Sequence, residues 1–209
     1  MLVLASSSPR RRELLAQAGF RFRVQAAQID ESQFLNENPI AYVTRLAREK
    51  AETVLQALGE AGIEAGVRGE GEPVVVLGAD TTVTLDDQIL GKPEDAADAA
   101  RMLRLLAGRT HRVITGVAVV TAQTTEVAAE VTGVQFLTLS EEEIAAYVAT
   151  GEPMDKAGGY GIQGRAARWI PRIEGCYFNV VGLPLALVTN MLGALGLTGD
   201  AAAIPSEAV

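Results

Sequence analysis

Apolar residues fall along this chain in two rhythms. Short unbroken runs, Leu2-Val3-Leu4-Ala5 and Pro73-Val74-Val75-Val76-Leu77-Gly78, have the pattern of strands buried on both faces. Asp80-Thr81-Thr82-Val83-Thr84-Leu85 continues the second run before an Asp86-Asp87 turn, while the buried part, ending Leu77-Gly78-Ala79-Asp80-Thr81-Thr82, reads as placing the Asp80 carboxylate at a strand end. A helical period instead spaces Ile40, Val43, Leu46, Ala47, Ala51, Val54 and Leu58, and Asn38-Pro39 supplies the start signal. Ser8 caps a shorter helix with Pro9 at its first position, Leu14, Leu15 and Ala18 on its apolar side and Gly19 at its end.

The remaining elements are read the same way. A strand is expected near Phe20 to Ala26, a polar loop around Asp30 and Glu31, and a Gly- and Glu-rich surface loop over Gly59 to Glu72. Glu94 to Ala107 reads as a helix closed by Gly108. Arg112 to Thr121 and Glu126 to Leu139 read as an antiparallel strand pair. Ser140-Glu141-Glu142-Glu143 is a capping box for a helix ending before Gly151. Glu152 to Arg165 is long and Gly-rich for a plain connection, so it is a candidate functional loop. A strand near Trp169 to Ile173 and a helix beyond Leu183 follow. Residues 1–197 read as one α/β domain with a mixed β-sheet flanked by helices, and 198–209 as a disordered tail.

Composition narrows the function classes. The net charge of −8 argues against a nucleic-acid binder, because neutralising phosphates wants a basic face. One cysteine, Cys176, allows no internal disulfide and fits a reducing compartment. No stretch reads as a signal peptide or a membrane span, so a cytoplasmic location with no membrane partner is expected. The basic residues are skewed: fifteen are Arg and three are Lys, at positions 50, 92 and 156. A chain that uses Arg for its surface keeps Lys where a compact ammonium on a flexible stem is wanted.

Those lysines sit in telling places. Lys50 shares a helix face with Leu46, Ala47 and Val54, either snorkelling along apolar surface or aimed into a cleft. Lys92 lies in Gly91-Lys92-Pro93, and Lys156 beside Asp155, where a weak ion pair is the plain alternative. Ser6 to Arg12 places three serines and three arginines at a helix start, which favours phosphate, although an N-cap with a solvated Arg run has the same pattern. Asp80 could hold Mg²⁺ or orient a water, with Asp30 and Glu31 the nearest second carboxylates, or simply satisfy turn donors.

Several motifs fail on context. Gly159 to Gly164 matches a dinucleotide fingerprint but follows a polar loop instead of a strand. Gly91-Lys92 is followed by Pro93, so there is no Walker loop. His111 is the single histidine, which excludes a histidine metal cage, and no nucleophile elbow accompanies it for a serine triad. Oxygen-ligated metal, basic groups and phosphate chemistry remain.

Taken together, the segments resemble the Maf family of nucleoside triphosphate pyrophosphatases, first associated with septum formation. The resemblance is carried by Ala5-Ser6-Ser7-Ser8-Pro9-Arg10-Arg11, Arg48-Glu49-Lys50-Ala51, Gly78-Ala79-Asp80-Thr81 and Gly91-Lys92-Pro93. It continues through Gly108 to Val113, Glu152 to Gly158, Tyr160 to Gly164 and Val181 to Leu185. It implies an elongated mixed sheet with two lobes and a central cleft, and commonly a homodimer. It implies hydrolysis of a nucleoside triphosphate to monophosphate and pyrophosphate with Mg²⁺, or Mn²⁺ or Co²⁺ in its place. On matching positions, Asp80 is the catalytic carboxylate and a metal ligand with Glu31. Lys50 and Lys92 are catalytic, and Ser8, Arg10, Arg11 and Lys156 bind substrate. Thr81 and Gln163 stand where the base is selected. The Asp-Lys-Ala-Gly and Gly-Ile-Gln-Gly forms resemble the branch acting on dTTP and UTP. A nucleotide-binding regulator of division and a nucleotidyl transferase are the rival readings.

Overall fold

The computed structural model describes residues 1–64, 73–86 and 88–199, without side chains for 60–64. Residues 65–72 of the expected surface loop, Asp87 of the expected turn and the expected tail beyond residue 199 lie outside the described residues. Among the described residues, seven strands form one mixed sheet. At its parallel end β1 (Leu2–Ala5) lies between β2 (Arg23–Val24) and β3 (Val75–Leu85). Antiparallel strands β5 (Thr110–Val120), β6 (Thr125–Gln135) and β7 (Arg172–Glu174) continue the order, and a short β4 (Gln88–Leu90) also pairs with β3.

The pairing of β3 opens the cleft. On one edge it meets β5 without a break, from Val76 opposite Val120 to Thr84 opposite Arg112. On the other edge β1 stops at Ala5 opposite Gly78, and β4 begins only at Leu90 opposite Val83. Residues Ala79 to Thr82 are left without a strand on that edge. Asp80 therefore sits in the middle of a strand and not at its end, which corrects the sequence expectation. The β-branched run Thr81-Thr82-Val83-Thr84 keeps the backbone extended beyond the carboxylate. The strand end that matters is that of β1.

Helix α2 (Pro39–Glu64) lies on one face of the sheet, over Val3, Ala5, Val76, Ala118 and Val120. It comes unusually close, because two strand positions have no side chain. A Cβ at Gly78 would overlap the carbonyl oxygen of Ala47, and one at Gly116 would overlap that of Val43. The opposite face carries α1 (Pro9–Gln17), α5 (Tyr177–Val181) and α6 (Leu185–Ala194) around Leu4, Leu15, Leu77, Val117 and Leu183. Farther along that face, α3 (Ala96–Leu106) and α4 (Glu141–Val148) pack on Val83, Leu85, Val113 and Phe136. Each fully buried Leu or Val in these clusters contributes roughly 1.5–3 kcal/mol of transfer free energy.

Other expectations meet the structure with small corrections. The capping box forms, with Ser140 and Glu143 exchanging side-chain to backbone bonds. α2 continues to Glu64, so Gly59 does not stop it, and Ile40, on its expected buried side in the first turn, is 43% exposed. The strand expected over Phe20 to Ala26 shrinks to two residues, Arg23 and Val24 opposite Val3 and Leu4, with one further bond from the Gln25 N–H to Leu4 O at 3.1 Å. The last strand forms at Arg172–Glu174, slightly beyond the expected position. The segment 152–169 is ordered into three 3₁₀ turns, Glu152–Asp155, Ala157–Gly159 and Arg165–Trp169.

Gly116→Ala should lower the unfolding free energy by roughly 1–3 kcal/mol, the usual cost of overpacking, because the added methyl meets helix backbone that cannot rotate away. Urea titration measures it; a change below about 0.5 kcal/mol would mean that α2 has slack over the sheet.

Candidate active site

The turn from β1 into α1 makes the first wall. Ser8 caps α1 by accepting from the Arg11 N–H at 3.4 Å, and Ser6 Oγ accepts from the Ser8 N–H at 3.2 Å. No acidic side chain lies in the first turn, so the partial positive charge of the helix start faces the cleft unopposed. Arg10 and Arg11 then diverge. Arg10 crosses the opening to Asp155, Nη1 to Oδ2 at 3.1 Å. Arg11 turns inward and donates to Gly182 O at 2.9 Å, Ala79 O at 2.8 Å, Thr81 Oγ1 at 2.9 Å and Ser6 Oγ at 3.3 Å. Those bonds use four of its five N–H groups. Arg11 thus closes the unpaired edge of β3 and fastens it to the α5–α6 turn, where the positive φ of Gly182 accommodates the bend. Burial lowers the Arg11 pKa; Asp80 opposes that shift and Arg10 adds to it. Arg12 does not line the cleft.

The floor is an acid–base cluster. Lys50 Nζ lies 2.6 Å from Asp80 Oδ1 and 2.6 Å from Glu31 Oε1, so two carboxylates converge on one ammonium. Lys50 and Asp80 are each 9% exposed, while the Glu31 side chain is 53% exposed. Burial alone would raise the Glu31 pKa, but the hydrogen bond and charge of Lys50, helped by Lys92 and Arg11, hold it below the usual carboxylate value. Tyr42 OH donates to the Glu31 carbonyl at 2.9 Å, and burial next to Asp80 and Glu31 pushes this phenol up to about 12. The loop that carries Glu31 has no regular structure and is clamped by Arg45. This guanidinium pairs with both oxygens of Glu37 at 2.7 and 2.8 Å, donates to Ser32 O at 3.0 Å and stacks on Phe34 at 4.0 Å.

The two-carboxylate set fits a hard divalent cation. Such ions take oxygen ligands and are often held by one or two carboxylates, with substrate phosphates and water completing the shell. Asp80 and Glu31 already meet at one cationic group, and no set of three His, Cys, Asp or Glu converges among the described residues. The donors thus suit a shared, phosphate-completed ion and not a closed protein cage.

The far wall is built by the 152–164 segment. Lys156 Nζ donates to Glu152 O at 2.7 Å and pairs with Asp155 Oδ1 at 2.6 Å. Asp155 therefore joins Lys156 to Arg10 across the opening. At 63% exposure this bridge is worth about 1 kcal/mol or less, weak enough for a polyanion to displace. Gln163 stands exposed at the turn of Gly161 to Gly164, and Lys92 is exposed on the adjoining wall. Thr81 Oγ1 is engaged with Arg11, with Thr115 at 2.9 Å and with Gly182 O at 3.4 Å. Beneath this wall Tyr160 OH bonds the buried His111 Nε2 at 2.7 Å, and both rings pack edge-on against Phe136.

These walls enclose a cavity of about 620 Å³. Ser8, Arg10, Arg11, Glu31, Lys50, Asp80, Thr81, Lys92, Lys156 and Gln163, read from sequence alone, all line it. Sequence reasoning missed Tyr42, Arg45 and the double role of Asp155. Their signals are an ordinary helical aromatic, a helical Arg–Glu spacing and a neighbouring charge, none of which points anywhere until the chain folds.

An α/β sheet split at one strand edge, with a helix start, three lysines and a carboxylate pair around the gap, defines a phosphate-handling enzyme class. The chain belongs to the Maf family: the model of Maf-like proteins matches residues 1–195. It is 51% identical over 198 residues to a protein of Moorella thermoacetica named dTTP/UTP pyrophosphatase, covering 94% of this chain and 95% of the relative. Proteins of the same name from Koribacter versatilis and Symbiobacterium thermophilum are 48% and 51% identical, covering 94% and 93% of this chain and 95% and 94% of the relatives.

His111 gives a pH signature. Burial depresses its pKa to about 4, well below the ordinary 6.5, so the ring is neutral in the folded protein at neutral pH. Its contribution to stability is therefore complete above pH 6.5 and is lost as pH falls towards 4, because the unfolded chain takes up the proton first. The full loss is about 3 kcal/mol, at 1.36 kcal/mol per pKa unit. We expect His111→Gln to flatten the stability profile between pH 6.5 and 4; an unchanged slope in denaturant melts would show that the ring is already solvated.

Proposed function

We propose that this protein is a nucleoside triphosphate pyrophosphatase that hydrolyses dTTP and UTP to the monophosphate and pyrophosphate. The single observation that carries this reading is the convergence of Asp80, Lys50 and Glu31 on the floor of a cleft whose rim is basic. Near 50% identity, over almost the full length, to proteins named dTTP/UTP pyrophosphatase supports the base preference. Among the described residues no helix is long and apolar enough to cross a membrane, and the net charge of −8 disfavours nucleic acid as a partner. We place the protein in the cytoplasm as a homodimer.

The helix start at Ser8, with Arg10, Lys92 and Lys156, would receive the triphosphate, because backbone N–H groups and ammonium or guanidinium heads all favour anionic oxygens. Arg10 and Lys156 would leave Asp155 for the phosphates. Arg11, already committed to carbonyl and hydroxyl acceptors, would contribute its remaining N–H and its charge while holding the cleft wall in place. Asp80 would take a proton from a water aligned on the α-phosphorus, and Lys50 would keep that carboxylate oriented. Lys50 and Lys92 would stabilise the charge that grows on the departing pyrophosphate. A divalent cation held by Asp80 and Glu31, Mg²⁺ being the first candidate and Mn²⁺ or Co²⁺ the alternatives, would supply further neutralisation of the phosphate oxygens. Gln163, with a donor and an acceptor at the mouth of the cleft, would read the pyrimidine edge; Thr81 would support that wall.

Product analysis with Mg²⁺ and dTTP, UTP, CTP, GTP, ATP and 7-methyl-GTP tests the reading. Monophosphate plus pyrophosphate from dTTP and UTP is expected; binding without turnover of any of them would favour a regulatory nucleotide sensor. Asp80→Asn should cut kcat by at least ~10²-fold while nucleotide still binds, as expected for loss of a general base. Near-normal turnover in that variant would remove Asp80 from the chemistry.

A further inference from the structure

The turn that presents Gln163 has no regular structure, yet it is fixed from beneath by two side chains that do not belong to the phosphate site. Glu152 Oε1 accepts from Tyr147 OH at 2.8 Å. Tyr147 OH in turn accepts from the Gly161 N–H at 3.2 Å, and both Glu152 oxygens accept from the Arg165 N–H at 3.2 Å. The two backbone groups that bracket residues 161–165 thus end on one Tyr–Glu pair. The contact is close: a Cβ at Gly164 would overlap Glu152 Oε1, and one at Gly161 would come within 2.7 Å of the Lys156 stem. Tyr147 is itself closely packed, 1% exposed and edge-on to Trp169 with centroids 5.1 Å apart. Burial and the bond to Glu152 raise its pKa, so the hydroxyl stays protonated and keeps donating to the carboxylate. Tyr147 reaches the turn from the last part of α4, Glu152 from the 3₁₀ turn that follows.

We propose that Tyr147 and Glu152 are positioning residues for base selection: they set the height and orientation of the Gly161–Arg165 turn, and through it where Gln163 meets the base of the nucleotide. This rests on the reading of Gln163 as the group that contacts the base. Neither side chain reaches the Asp80–Lys50 floor, and Lys156 is held by the backbone carbonyl of Glu152, which side-chain substitutions keep, so loss of the pair acts on discrimination more than on phosphate binding. Glycines flank Gln163 closely, so the turn has little stiffness of its own and depends on these two anchors.

The test compares kcat/KM for dTTP with that for ATP and GTP in Glu152→Ala, Glu152→Gln, Tyr147→Phe and Gln163→Ala. Inhibition by inorganic tripolyphosphate, which has no base, serves as the control. Glu152→Ala should lower discrimination about tenfold, mostly through a raised KM for dTTP. The inhibition constant for tripolyphosphate should stay within about twofold of the original. Glu152→Gln keeps an oxygen for Tyr147 and should recover most of the discrimination. Should Glu152→Ala fail to fold, Tyr147→Phe decides, because it deletes one oxygen and leaves the packed ring. Original discrimination in folded Tyr147→Phe, or tripolyphosphate binding that weakens in step with it, would overturn the proposal. An unchanged base profile in Gln163→Ala, with Tyr147→Phe impaired, would instead sink the role of Gln163 and leave the turn as the selective element.

Discussion

The ion pair between Lys50 and Asp80 is the interaction on which the rest of this site depends. A buried carboxylate is tolerable only with a partner, since desolvation costs more than most single contacts return. Lys50 supplies that partner at 2.6 Å, but only because α2 lies low enough on the sheet for its ammonium to reach the middle of β3. The helix lies low because Gly78 and Gly116 present bare backbone to Ala47 and Val43. Two absent side chains in the sheet thus set the position of the charge at the centre of the cleft.

A second constraint is the unpaired stretch of β3. Backbone groups that lose a strand neighbour must be satisfied some other way when they are buried. Arg11 meets that need at Ala79 O and at the same time binds Gly182 O and Thr81 Oγ1. It therefore joins three parts of the chain that are far apart in sequence around one gap. The neighbouring Arg10, on the outer side of the same turn, is held by an exposed ion pair to Asp155. Adjacent arginines of the same motif thus divide their work, one as architecture and one as an adjustable rim charge.

Much of the site was legible from residue chemistry. Scarce lysines, a capped helix start bearing arginines and a carboxylate after a buried apolar run all singled out residues that line the cavity. The fold class followed from alternating periods, and the capping box at Ser140 formed as its spacing required. What sequence misplaced were positions decided by distant partners. Asp80 reads as the end of the buried part of its strand because the apolar run stops there, yet pairing with β5 runs on to Thr84 and burial continues beyond the carboxylate. Gly59 reads as a helix stop, yet α2 runs on to Glu64. Tyr42 and Arg45 gave no signal, because their value lies in the loop they hold and not in any local pattern.

The sequence by itself determined which groups are available and where local structure starts, because caps, glycines and apolar periods act within a few residues of chain. Tertiary structure alone decided which groups meet. Glu31, Lys50 and Asp80 come from a loop, a helix and a strand, and the approach of α2 to two glycines brings them to one point. Charge and burial at that point depend on through-space distance, which no spacing along the chain encodes.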